Sequence, residues 1–137
     1  MKDSMETHND QINIYYDPAI NKHKKTVAHA KSIGKVLAIS FEDMPEAYNV
    51  WMTIWEGINK DTEILFDEKH PKYEQFVKGQ ITNFEDWRKV AINNTDMIKN
   101  PIAVKGKEVL ICERQTEIYE FMDIPKIDAR EGEVATS

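Results

Sequence analysis

The sequence predicts an α/β domain built around a mixed, four-stranded β-sheet, and three observations carry that prediction. A strand, a helix and a second strand succeed one another between residues 11 and 41. Residues from about 43 to 99 follow helical spacing in several pieces, and after Asn100-Pro101 the pattern returns to two short strands and a last short helix. A chain of 137 residues is the size of one domain with one sizeable core.

Residues 11–16 alternate polar and apolar side chains, are rich in Ile and Tyr, and stop at Asp17-Pro18, which reads as a strand. Residues 21–33 read as a helix with Val27, Ala30 and Ile33 on its inner face and Gly34 as its stop signal. The run Val36-Leu37-Ala38-Ile39-Ser40-Phe41 reads as a buried strand, so the first three elements form a β-α-β unit with parallel strands. A capping box of Asp43 and Glu46, with Pro45 in the first turn, then opens a helix. Its apolar face is expected to be Tyr48, Trp51, Met52, Trp55 and Ile58, with Val50 and Ile54 on the flank; a core face is favoured over a contact surface. Asn59-Lys60-Asp61 breaks that helix. A short helix is expected over 62–67, a loop or frayed helix over 68–80, and a helix capped by Asn83 that buries Phe84, Trp87, Val90 and Ala91. Strands at 102–104 and 109–112 flank the hairpin turn Lys105-Gly106-Lys107, and a final short helix spans about 116–122 before Pro125. The domain is thus expected over 11–124, with a flexible lead-in at 1–10 and a disordered tail at 125–137.

Composition excludes several classes of function. Hydrophobic residues make up 41% and charged residues 31%, with a mean hydropathy of −0.59, and no apolar run is long enough to span a bilayer. The polar first ten residues do not read as a secretory signal, so a cytoplasmic location is expected. A net charge of −6 and a pI near 5.2 argue against direct nucleic-acid or membrane binding. The single cysteine, Cys112, follows Val109-Leu110-Ile111 on a strand and is expected to be a buried structural thiol. His8, His23, His29 and His70 show no ligand spacing, so neither metal nor cofactor is expected. Glu63, Asp67 and Glu68 read as a solvated acidic face.

The element order is that of a thioredoxin-like domain with a helical insertion at about 43–99. Three stretches resemble glutaredoxin-dependent arsenate reductases and their Spx-like relatives: Ile14-Tyr15-Tyr16-Asp17-Pro18-Ala19, Met97-Ile98-Lys99-Asn100-Pro101-Ile102-Ala103-Val104, and Cys112-Glu113-Arg114-Gln115-Thr116-Glu117. The likeness implies that Pro101 faces the active-site loop through a cis peptide bond. It also implies that the catalytic cysteine falls at position 20 and three oxyanion-binding arginines near 67, at 100 and at 114.

The departures from that pattern decide the functional expectation. Position 20 is Ile, which can supply neither a thiolate nor a proton, and of the three arginines only Arg114 is present, against Asp67 and Asn100. Arsenate reduction is therefore not expected. A residual anion site is conceivable at Asn21, Lys22, His23, Lys24 and Arg114, since a helix N-terminus favours anions; ordinary solvated lysines, Lys25 included, explain the same residues and are favoured. The chain is read as a pseudoenzyme, a non-enzymatic binding or regulatory module with a protein partner, as Spx-like relatives bind a polymerase subunit. The alternative is an enzyme or binder acting on an anionic or glutathione-like molecule through Tyr15, Tyr16, His23 and Arg114.

Overall fold

A computed structural model describes residues 11–44 and 48–122. Strand β1 (Ile12–Tyr16) leads into α1 (Asn21–Ile33), β2 (Val36–Ser40) and a 3-10 turn, Phe41–Asp43. Helices α2 (Tyr48–Gly57), α3 (Tyr73–Phe76) and α4 (Phe84–Asn93) follow, then a 3-10 turn at Thr95–Met97. The hairpin β3 (Ile102–Lys105) and β4 (Glu108–Ile111) and a 3-10 helix at Gln115–Glu120 complete the fold. The sheet order is β2-β1-β3-β4, with β1 parallel to β2 and antiparallel to β3. The predicted four-stranded mixed sheet is thus present.

Strand periodicity divides the core in two, because successive side chains point to opposite faces. On one face Ile12, Ile14, Ala103 and Cys112 meet Val27 and Ala30 of α1 and Ile118 and Phe121 of the closing segment. On the other, Tyr15, Ile102 and Val104 meet the helical insertion through Trp51, Ile54, Trp87 and Met97. The insertion is knitted by aromatic edges: Trp87 packs at 5.7 Å from Trp51 and 5.1 Å from Trp55, in the range where edge-to-face pairs are favourable.

Five expectations need correction. The strand at 36–40 is not buried: β2 is an edge of the sheet, Leu37 is 52% exposed, and only Phe41 beyond its end is fully buried, because an edge strand has a neighbour on one side only. The stretch 62–67 is not a helix: the Asp61 carboxylate accepts from the N–H groups of Glu63 and Ile64, and Phe66 bridges to Ile98. A tertiary β-bridge and a side-chain turn there outbid local helix propensity. The apolar face of α2 is rotated, since Ile54 is fully buried and Tyr48 is 45% exposed, because α2 is wedged between β4 and α4 rather than lying flat on one neighbour. The final helix is 3-10 and begins at Gln115; the Glu117 carboxylate accepts from the Glu113 N–H and tightens that start. The bond before Pro101 is trans, as are all peptide bonds among the described residues. Trans is the default even for proline, and here the buried Asn100 is held by Lys22 while the Pro101 carbonyl accepts from Cys112 N–H.

Other expectations hold. Asn83 caps α4 by accepting from Asp86 N–H at 2.9 Å, and Asn59 and Lys60, both left-handed, end the turn after α2. The one-turn α3 lies within the 68–80 stretch. The expected Asp43–Glu46 cap depends on residues 45–47, and the expected lead-in and tail fall on 1–10 and 125–137; all lie outside the described residues.

Gly57 lets α2 approach β4 closely, because a Cβ there would run into the side chain of Val109. Gly57→Ala is therefore expected to destabilise the domain by about 1–3 kcal/mol through overpacking, despite alanine's better helix propensity. Urea unfolding checks this, and a stabilised variant would show that the approach is not tight.

Candidate functional site

The site is built where β1 ends. Asp17 reverses the chain, its carboxylate accepting from Ala19 N–H at 2.9 Å and its carbonyl from Ile20 N–H at 3.0 Å. Ile20 is the last extended residue before α1 and is half-buried; its side chain offers the helix start no hydrogen bond. A cysteine at this position would sit at the positive end of the α1 dipole, where a thiolate is stabilised.

His23 holds the loop. It is fully buried, its Nδ1 accepts from Asp17 N–H at 3.0 Å, and its Nε2 faces the Lys99 carbonyl at 3.0 Å. A carbonyl can only accept and an amide N–H can only donate, so the proton belongs on Nε2 and Nδ1 must be bare. One imidazole thereby ties the loop after β1 to the segment entering β3. Its pKa is lowered below the ordinary value of 6.5, chiefly by burial and further by Lys22, against the opposing pull of the Lys99 carbonyl and Asp17.

Beside this clip lies a cleft of about 390 Å³. Helix α1 lines it with Lys22, Lys25 and Thr26, and the segment after β4 lines it with Glu113, Arg114 and Gln115. Three cations thus face one carboxylate. The Lys22 ammonium also donates to the buried Asn100 Oδ1 at 3.0 Å. The Arg114 side chain is 79% exposed, with Glu117 at 3.7 Å.

Of the anticipated anion-binding residues, Lys22 and Arg114 come together on this cleft. Asn21 and Lys24 are exposed but do not line it, and His23 is turned into the core as a structural clip. Pro101 is buried behind Asn100. Tyr15 and Tyr16 point to opposite faces of β1, Tyr15 toward the insertion and Tyr16 toward the α1 side, so the four-residue constellation with His23 and Arg114 is not assembled. Asp67 is engaged locally, its carboxylate accepting from Lys69 N–H. Lys25 and Thr26 were legible as cleft residues from their i+3 and i+4 spacing to Lys22; Glu113 and Gln115 carried no such signal.

Cys112 is fully buried with its thiol pushed up to about 12, mainly by desolvation and secondarily by the Glu117 charge. Among the described residues no cluster of three His, Cys, Asp or Glu side chains could hold a metal ion, and no helix is long and apolar enough to cross a membrane.

Sheet order, two-faced core and insertion define a thioredoxin-like α/β fold of the arsenate reductase type. Among solved structures the chain is similar to an arsenate reductase from Vibrio cholerae, with a TM-score of 0.67 and 14% identity over 81% of this chain and 97% of that one. It is similar also to a Yersinia pestis protein provisionally described as an arsenate reductase, with a TM-score of 0.66 and 17% identity over 80% and 99% of the two chains. A third is a possible arsenate reductase from Streptococcus mutans, with a TM-score of 0.61 and 16% identity over 83% and 98%. No protein-family model and no curated protein matches the sequence. At such identities the likeness establishes the fold.

The neutral clip has a pH consequence. Below about pH 6.5 the unfolded chain takes up a proton at His23 that the folded chain resists, so stability present above that pH is lost as pH falls toward the depressed folded value. Unfolding between about pH 7.5 and 5 should show this loss in the wild type and a shallower slope in His23→Leu. The variant should also be less stable at neutral pH by about 1–3 kcal/mol, since Asp17 N–H and the Lys99 carbonyl lose their partner. Equal slopes would refute the neutral assignment.

Proposed function

We propose that this chain is an arsenate-reductase-like module that acts by binding, without thiol redox chemistry. The observation that carries the reading is Ile20 at the start of α1, the position where the resemblance puts the nucleophile. The remaining thiol does not replace it: Cys112 is fully buried in the core between the sheet and α1, and its raised pKa keeps it protonated at neutral pH. The cleft supports a small anion as the occupant, an oxyanion or a carboxylate of a glutathione-like molecule, gripped by Lys22 and Arg114 with Lys25 at the rim. Lys22 contributes a cation at Asn100, one of the positions where the resemblance expects an arginine.

Two measurements test this. With arsenate, glutathione and glutaredoxin supplied, no turnover is expected, and Ellman's reagent should label the native protein slowly and the unfolded protein fully. Thiol-dependent turnover abolished by Cys112→Ala would overturn the reading. Ile20→Cys should by contrast introduce a thiol that labels much faster than Cys112, because it gains the helix N-terminus and partial exposure.

An amide chemical-shift titration with phosphate, sulfate, arsenate and reduced glutathione should give saturable shifts at residues 22–26 and 113–115 at millimolar ligand. Lys22→Ala and Arg114→Ala are each expected to weaken that binding by roughly three- to tenfold. The absence of shifts would remove the anion from the proposal.

A further inference from the structure

Strand β2 is an edge of the sheet, and among the described residues it is paired only with β1. No other backbone hydrogen bond from the described residues reaches 36–39. Protein edges are usually blunted by lysine, proline, a bulge or a covering element, because a bare edge is a template for another strand. The opposite edge carries a charge, since β4 opens on the exposed Glu108. The five residues Val36-Leu37-Ala38-Ile39-Ser40 have neither charge nor proline, and Leu37 is 52% exposed.

We propose that β2 is a self-association edge, through which two copies of this chain pair antiparallel about a two-fold axis and continue the sheet from four strands to eight. The charge flanking the strand specifies the occupant. Lys35 stands at its start and Glu42 and Asp43 just past its end, all three exposed. In an antiparallel pair centred on Ala38, Lys35 lies toward Glu42 and Asp43 of the partner subunit, and the reverse contact repeats across the axis. A parallel pair would set Lys35 against its own counterpart. The same register places Leu37 opposite Ile39 of the partner subunit on one face and sets the small Ala38 opposite its own counterpart at the axis. No charge within the strand is opposed by its like.

A five-residue edge gives an interface at the small end of the range, under roughly 1,200 Å² in total, the class of weak and transient contacts, so association is to be sought at high protein concentration. The net charge of −6 opposes association at long range, so the measurement belongs at about 0.15 M salt.

Sedimentation velocity of the full chain from about 10 µM to 1 mM should show a monomer–dimer equilibrium. Leu37→Lys, a change at an exposed position that leaves the fold intact, should weaken it at least tenfold. Lys35→Glu should weaken it several-fold, and adding Glu42→Lys and Asp43→Lys to that variant should restore it, which only the antiparallel pairing predicts. A monomer throughout the range, a dimer that survives Leu37→Lys, or no rescue by the charge reversal overturns the proposal.

Discussion

Everything in this fold is placed by β1, a strand that must be satisfied on four sides. It is hydrogen-bonded along both edges, to β2 and β3, and its side chains are buried on both faces, Ile12 and Ile14 against α1 and Tyr15 against the insertion. A strand so enclosed has one direction left in which to deliver chemistry, its C-terminal end. There Asp17-Pro18 turns the chain, α1 begins, and the segment entering β3 passes close enough for Lys99 and Asn100 to be reached from α1. The cleft is a consequence of that topology before it is a consequence of any particular residue.

What the residues then decide is how the loop is held. In a thiol enzyme the side chain at the helix start is exposed for attack, and here that place is taken by the half-buried Ile20. Order is supplied three residues later by His23, whose ring spans from the Asp17 amide to the Lys99 carbonyl. The loop is thereby fixed by the protein itself, and a binder gains from such a loop because little conformational freedom is lost when a ligand arrives.

Much of this was legible in the sequence because strong local signals coincided with tertiary needs. The alternation of residues 11–16, the caps at Asn83 and Gly34, and the glycine at Gly106 in the hairpin, with φ at 64°, all say locally what the fold requires globally. The failures have the opposite character. Residues 62–67 were lost to a bridge with Ile98, thirty-odd positions away, and Ile54 was underrated because a helix contacted from two sides has a wider buried arc than its own periodicity reveals. At the site, the sequence marked Lys22 and Arg114 but could not tell that the histidine between two lysines points inward. That depends on two backbone groups, one of them at residue 99, that no side-chain pattern encodes.

Lys22 shows how the same topology can redistribute charge. The position matched to an arginine in the resemblance is Asn100, buried and neutral, and a buried amide needs a partner. Lys22 supplies it from the first turn of α1, so the cation stands over the cleft on a helix instead of rising from the strand entrance below. The geometry of such a site differs in kind from a bidentate guanidinium clamp: an ammonium is a point charge with three rotatable donors, less selective for planar or tetrahedral oxygens than a fork. With Arg114 largely in solvent and Glu113 facing the same space, the cations of this cleft are open and screened, an arrangement that fits the proposed binding role better than displacement chemistry.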